Sequence, residues 1–411
     1  MLLKALGLGN KKLSKKVKRN IMKTIVNYFH PMVWVILIGT MITRIASFMM
    51  IPFLALYLLN HFNLSPVWIG VALGIAPLFA TVGALLGGYI NDRFNRKYII
   101  IITCIIWAAV FLGFTFAPSV IFFTVLNALN GLCRAFFEPG TQALMMDYVD
   151  ESRKKRLFSI RYTLINIAAV IGPLVGVLLA KLADARATFV IASIVFFIFA
   201  MFLLYFFKKY PTKQQFLSKD VKVTQIFSTF VQDKKLFYFI LGSIIIFIGY
   251  SQYDSTLPQL IDLKVSNGVE LFSYLIVVNS VTVLILQLPI SLLIEKLPNI
   301  YSLIIGVSAF TIGLYLLGSS KTYWMFCFSM VIFAIGEVFC FPIMSIVIEE
   351  IAPNNQKSIY FGASQLRSLG SFIGPVLGGG LLGQTTANAY TILCLLMLTS
   401  IFIYYKGLKN I

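Results

Sequence analysis

Stretches of about twenty apolar residues, each closed by a short polar break, recur from residue 32 to residue 405. About twenty residues is the length at which an α-helix crosses the hydrocarbon core of a bilayer. Twelve spans are predicted: Met32–Leu59, Trp68–Ile90, Tyr98–Phe116, Val120–Met146, Ile160–Leu182, Ala187–Phe207, Leu236–Ile261, Leu271–Ile294, Ser302–Leu317, Tyr323–Ile348, Ile359–Leu382 and Ala389–Tyr405. None shows the two-residue alternation of a barrel strand, which excludes a membrane β-barrel.

The longest polar break, Lys208 to Lys235, has six spans on either side. The expected organisation is a basic tail (1–31), a six-helix bundle (32–207), a linker (208–235), a second six-helix bundle (236–405) and a short tail (406–411). An internal repeat supports it. Glu138-Pro139 is followed by Asp147 and then Gly172-Pro173-Leu174-Val175-Gly176; Phe341-Pro342 is followed by Glu350 and then Gly374-Pro375-Val376-Leu377-Gly378. Eight residues lead from proline to acid in both copies. The fold class expected is an all-α integral membrane protein, twelve transmembrane helices in two pseudo-symmetric six-helix bundles, with substrate at midplane between the halves.

Composition agrees: 59% of residues are hydrophobic and 12% charged, a balance no water-facing surface accommodates. The net charge of +19 is positional and implies no nucleic acid. With both termini in the cytoplasm, that side receives the N-terminal lysines, the 93–97 turn, Arg153 to Arg156 with Arg161, and the 208–235 loop. The other side keeps Lys181, Arg186, Lys264 and Lys321, as expected when basic residues are retained inside. The location expected is therefore the cytoplasmic membrane, multi-pass. Residues 1–30 are read as an orienting tail, with an amphipathic surface helix as the alternative. The five cysteines (Cys104, Cys133, Cys327, Cys340, Cys394) fall inside spans without ligand spacing, and His30 and His61 flank the first span. No metal site and no disulfide framework are expected.

Charged residues inside spans cost about 2.5–3.5 kcal/mol each on insertion scales, which makes them functional candidates. Six are present: Arg44, Arg134, Glu138, Asp254, Glu337 and Arg367. Arg134 and Glu138, four residues apart on one helix face, are expected to neutralise each other. Asp254, Glu337 and Glu138 are the proton-coupling candidates, because a carboxylate away from water is a reversible proton carrier; the alternative for each is a fixed pair with an arginine. The expected substrate cavity comprises Arg44, Arg134, Arg367, Gln365, Phe48, Phe137, Tyr250, Tyr253 and Phe339. Arg44 serves either substrate or a neighbouring carboxylate.

The run Gly88-Tyr89-Ile90-Asn91-Asp92-Arg93-Phe94-Asn95-Arg96-Lys97 resembles the signature between the second and third spans of the major facilitator superfamily. That signature is a glycine, an acid–arginine pair, a turn glycine and two basic residues. Asn95 replaces the turn glycine, and asparagine tolerates left-handed backbone. The resemblance implies a cytoplasmic latch of Gly88, Asp92, Arg93, Arg96, Lys97 and Asp147, the arginines reaching Asp147. Gly172, Pro173 and Gly176, repeated as Gly374, Pro375 and Gly378, resemble the helix motif of proton-coupled antiporters, mainly drug exporters, although Val177 stands where a second glycine is usual. The run Arg44 to Phe53 is similar to the first span of that branch.

The resemblance implies a secondary transporter exporting small molecules by alternating access, driven by protons, in the manner of a drug:proton antiporter. Three acids against three arginines also suit a dedicated exporter of a zwitterionic or carboxylate-bearing metabolite such as an amino-carboxylate metallophore. Uptake, or a non-transporting sensor on the same fold, are further alternatives. There is no Gly-x-x-x-x-Gly-Lys-Ser/Thr run, so no nucleotide is expected. Enzyme chemistry is not expected, nor any cofactor beyond the proton; the partners are a small-molecule substrate and the lipid bilayer, with a monomer as the oligomeric state.

Overall fold

Small polar residues and prolines decide where the apolar stretches start as helices. A proline in the first turn gives up an N–H that has no helical partner there, and α1 (Pro31–Phe48) begins on Pro31 with His30 Nδ1 accepting from Met32 N at 3.2 Å. In the computed structural model, which describes residues 28–62, 64–93, 95–210, 223–353, 356–384 and 388–408, the first half continues with α2 (Ile51–Phe62), α3 (Pro66–Arg93), α4 (Arg96–Thr115), α5 (Val120–Met146), α6 (Glu151–Leu182) and α7 (Ala185–Lys209). Ser119 and Asp184 cap α5 and α7 by accepting from Phe122 N and Arg186 N. A short helix, α8 (Val223–Gln232), precedes the second half: α9 (Lys234–Tyr250), α10 (Thr256–Lys264), α11 (Gly268–Ile294), α12 (Asn299–Ser319), α13 (Tyr323–Ile351), α14 (Lys357–Ser364), a 3₁₀ turn (Gln365–Ser368), α15 (Leu369–Gln384) and α16 (Ala389–Leu408).

Among the described residues, ten helical segments are long and apolar enough to cross a membrane. The seventh and eleventh spans complete the twelve but are interrupted, as is the first, where continuous helices were expected. In span one Met50 N bonds Ser47 O while Phe53 N and Leu54 N both turn to Met50 O; Pro52 has no N–H to continue the ladder. In span seven Thr256 N and Leu257 N both bond Gln252 O, ahead of Pro258. In span eleven the 3₁₀ turn does the same.

Two separate apolar cores form, one from residues between Phe29 and Phe207, the other from residues between Ile226 and Leu408. Two seams join them: α3 packs on α15, and α6 on α11, while α2 also touches α10 and α11. The α3 seam is backbone against backbone. A methyl on Gly70 would meet the Pro375 carbonyl, and one on Gly379 the Pro66 carbonyl. Both contacts lie toward the face opposite the chain ends. There, Lys181 Nζ also donates to Glu270 Oε2 at 2.9 Å, and Tyr274 Oη to Glu270 Oε1 at 2.9 Å. Toward the face carrying the chain ends α3 still touches the 3₁₀ turn, while α1 and α9 find their main neighbours within their own halves and α14 packs on α8 and α13.

The polar run after the second span differs from expectation. α3 continues as helix through Gly88 and Asp92 to Arg93, so the decamer is mostly helix. Asn95 is not left-handed: with φ −65° and ψ 112° it is the N-cap of α4, its Oδ1 accepting from Lys97 N at 3.1 Å. A short side-chain acceptor that replaces a missing helical partner explains this asparagine better than left-handed tolerance does.

Candidate functional site

α5 carries Arg134 and Glu138 on one face, but they do not pair as expected. Glu138 is held instead between the guanidinium groups of Arg44, from α1, and Arg161, from α6. All three side chains are mostly buried, between 12% and 19% exposed. Two guanidinium groups arriving from other helices each face one oxygen of the carboxylate, which a single arginine one turn away on the same helix cannot do. Arg134 is left exposed, and among the described residues no ion pair holds it. Arg161, expected at the cytoplasmic face, sits inside. α6 begins at Glu151, so Arg161 lies ten residues along it, roughly 15 Å from the start of the helix.

The facing wall belongs to the second half. Asp254 lies at the break of span seven and is exposed. Glu337, on α13, is half-buried and accepts from Asn279 Nδ2 of α11 at 3.0 Å. Tyr250 stacks on Phe333 with ring centroids 6.0 Å apart and meets Phe341 edge-on at 5.0 Å. The walls sense each other: Arg134 is within electrostatic reach of Asp254 and Tyr250, and Tyr162 of α6 within reach of Glu337 and Tyr250. No ion pair joins Arg134 to Asp254. The first-half wall is thus set with guanidinium groups and the second-half wall with carboxylates.

The remaining expected cavity residues scatter. Phe48 is half-buried beside the Gly-Pro element of α6. Phe137 is 2% exposed and packs on Trp107 and Phe199 in the first core; Phe339 is 5% exposed, its Cβ facing Gly306. Both belong to the interiors of their own halves. Each sits one or two residues from a cavity-facing acid, and one residue turns a helix by about 100°. Tyr253 is likewise buried, on Phe272 and Phe333. Arg367, in the 3₁₀ turn with half-buried Gln365, stacks over Phe247 of its own half at 5.6 Å.

Repeat symmetry relates the two halves at an offset of 203 residues, which matches Pro139 with Pro342 and Asp147 with Glu350. The same offset carries Arg44 to Phe247 and Glu138 to Phe341. Phe247 and Phe341 also touch, with centroids 5.7 Å apart. One half thus uses an ionic pair where the other uses an aromatic pair.

The two Gly-Pro elements have matching surroundings. A methyl on Gly172 would stand 2.7 Å from Phe48 Cβ and 2.9 Å from Ile45 O, and one on Gly176 would meet the Met49 carbonyl. A methyl on Gly374 would meet Ser251 Oγ, and one on Gly378 would meet Gln252 Oε1. Each element, with Pro173 or Pro375 inside it, presses on the interruption of its half's first span. Gln252, fully buried, fastens the second of these contacts by donating to Gly374 O at 2.9 Å and to Ile248 O at 2.8 Å. Its signal in the sequence is slight: a lone amide in an apolar span.

Of the expected latch, the side chains of Asp92, Arg93 and Arg96 lie outside the described residues. Lys97 rests its ammonium over the Phe207 ring at 5.4 Å, and Asp147 ends α5, its N–H bonding Ala143 O. The described counterpart in the second half is informative. The offset carries Arg96 to Asn299 and Asp147 to Glu350, and Asn299 Nδ2 donates to Glu350 Oε2.

The family model of the Major Facilitator Superfamily matches residues 36–278 and 262–409. The uncharacterized MFS-type transporter YqjV of Bacillus subtilis (strain 168) is 32% identical over 353 residues, covering 85% of this chain and 86% of that protein. A Na(+), Li(+), K(+)/H(+) antiporter of Planococcus maritimus is 24% identical, covering 83% and 87%. Among solved structures, the nucleoside transporter NupG superposes with a TM-score of 0.74 at 13% identity, covering 93% of this chain and all of that one; that likeness concerns the fold alone.

Proposed function

Because the chain belongs to the major facilitator superfamily, a family of multi-pass membrane carriers and not of enzymes, we propose that it exports small molecules across the cytoplasmic membrane in exchange for protons. One observation carries this reading: two carboxylates, Asp254 and Glu337, lie inside spans of the second half, and among the described residues no ion pair holds them. A relative named as a proton antiporter supports the same ion. Glu138 is assigned a structural part, since two guanidinium groups fix it as a carboxylate.

Orientation follows from charge. The face with Arg153, Arg156, Lys208, Lys209, Lys234 and Lys235 is assigned to the cytoplasm. The seams close the opposite, outer side, so the conformation corresponds to a carrier open to the cytoplasm. Export then runs from this state: cargo enters between the walls, the inner side closes, the outer seams part, and a proton taken up from outside resets the carrier. The latch on the inner side stabilises the closed inner gate, with Arg96 and Asp147 doing what Asn299 and Glu350 do in the other half. One charge crossing 100 mV supplies about 2.3 kcal/mol, enough for a gradient of roughly fifty-fold.

The cargo range of a polyspecific drug exporter is tested with ethidium in inverted vesicles carrying a proton gradient. Uptake that collapses with the gradient and is lost in Glu337→Gln supports proton-coupled export; uptake indifferent to both removes the proton from the cycle. A dedicated exporter of a zwitterionic or carboxylate-bearing metabolite is the second reading, favoured by the opposite signs of the two walls.

A further inference from the structure

The charges of the cavity are sorted by half. Three guanidinium groups, those of Arg44, Arg134 and Arg161, stand against one carboxylate, Glu138, on the first-half wall. Asp254 and Glu337 stand on the second-half wall, and that half's Arg367 is turned onto Phe247. Glu138 uses up two of the three guanidinium groups. Arg134 remains exposed, within electrostatic reach of Asp254 in the other half but joined to it by no ion pair.

We infer that Arg134 and Asp254 are the two ends of one recognition axis for a dipolar cargo, whose acidic group docks on Arg134 and whose amine docks on Asp254, while Glu337 is the acid that handles the coupling proton. The inference rests on the reading of this cavity as the transport path. Each charged end has its reason. A guanidinium presents a planar fork that takes a carboxylate or a phosphate with two parallel hydrogen bonds. A lipophilic cation would meet Asp254 favourably but would lie beside Arg134 with like charge, and a simple anion would have the reverse conflict. A molecule carrying both charges satisfies both walls at once.

The two acids differ in surroundings, and this divides their labour. Asp254 faces a cation, Arg134. Glu337 faces Asp254, the phenols of Tyr250 and Tyr253 from the seventh span, Tyr162 from α6, and the Asn279 amide of α11. No cation is among these neighbours. A carboxyl group there tolerates being neutral, and the amide of Asn279 can serve either protonation state by offering its donor or its acceptor. The bridge also has a mechanical consequence. Cargo that touches both halves at once draws the inner ends together, which links binding to the closing step.

The test uses purified protein in nanodiscs and in proteoliposomes. Glycine, γ-aminobutyrate and alanyl-alanine are compared with butyrate and butylamine, single-charge probes of similar size, and with ethidium. Binding is read by calorimetry, and proton movement by a pH-sensitive dye. At least one zwitterion should bind about tenfold or more tightly than either single-charge probe. That advantage should vanish in Arg134→Gln and in Asp254→Asn and be largely kept in Arg134→Lys. Glu337→Gln should keep the binding advantage and lose zwitterion-driven proton movement, a split that a merely structural role for any of these residues would not produce.

Other outcomes overturn one statement or the other. Ethidium-driven proton movement with no preference for any zwitterion leaves proton-coupled export standing and removes the recognition axis. Zwitterion preference without proton movement keeps the axis and removes the proton. Preference that survives in Arg134→Gln removes Arg134 as its cause.

Discussion

Lys181, at the end of α6, and Glu270, in the first turn of α11, meet at 2.9 Å across the boundary between the two halves. With Tyr274 donating to the same carboxylate, this pair lies at the closed end of the molecule. In the orientation proposed above, it can exist only while the outer seam is shut. Charge reversal, Lys181→Glu, should therefore shift the population toward the outward-open form, and Lys181→Glu with Glu270→Lys should restore it. Both groups are solvent-accessible, so the shift should stay below about tenfold. Spin-label distances across the seam measure it; an unchanged distribution in the single variant would show the pair to be incidental.

Glu138→Gln should behave differently, as a loss of stability. It leaves the guanidinium groups of Arg44 and Arg161 facing each other without their shared carboxylate. Removing one member of a buried ionic cluster typically costs about 3–5 kcal/mol. The variant should insert poorly or melt well below the wild type in detergent. A wild-type melting temperature with abolished proton coupling would instead return Glu138 to the proton pathway.

Close packing of the Gly-Pro element predicts a positional contrast. Gly176→Ala places a methyl on the Met49 carbonyl, a backbone atom that cannot yield without moving the interruption of span one. Gly380→Ala meets nothing nearer than Val67 Cγ2, at 3.8 Å. At equal membrane levels, transport should fall at least about tenfold in the first and stay near wild type in the second. Equal activity would mean that span one is free to shift.

The latch is tested by its own asymmetry. Asp147→Asn should reduce transport while leaving insertion intact, because it replaces the acid proposed to meet Arg96. Glu350→Gln, opposite the neutral Asn299, should be the milder change. Matched transport rates for both would remove the distinction between the halves at this site.

A pH effect is expected at the entrance to the first span. His30 stacks on Tyr148 with centroids 4.5 Å apart and accepts a hydrogen bond from Met32 N. Burial holds its pKa below the ordinary imidazole value. A depressed imidazole means the native state prefers the neutral ring. Its contribution to stability is full above the unfolded pKa and is lost as pH falls through the lower native one. His30→Asn keeps a capping oxygen that does not titrate, so its melting temperature should lose the part of the acid-side slope owed to His30. Identical slopes in both proteins would place the titrating group elsewhere.

Much of the site was readable because it is costly. Arg44, Arg134, Glu138, Asp254 and Glu337 stand out in any apolar span, since insertion penalises them and only an interior partner or a cavity explains them. Their partners were not readable. Glu138 with Arg134 is the natural pairing on one helix, yet Arg44 lies 94 positions before Glu138 and Arg161 lies 23 after it, and only the packing of α6 on α1, with α1 set against α5, brings both to one carboxylate. Phe137 and Phe339 failed for a related reason. Composition marks them as cavity aromatics, but a rotation of one or two residues turns them into the cores.

The linear pattern by itself determined the all-α membrane class, the apolar spans and the charged residues that are costly within them. Each of these follows from a local rule: the length of an apolar helix or the penalty for an ion in lipid. Tertiary structure decided which spans break, which face is closed and how the charges sort between the walls. The break of span seven is fixed by another helix, Gln252 at the break donating its side-chain amide to Gly374 O of α15. A wall acquires its sign only when distant helices set their side chains against one another.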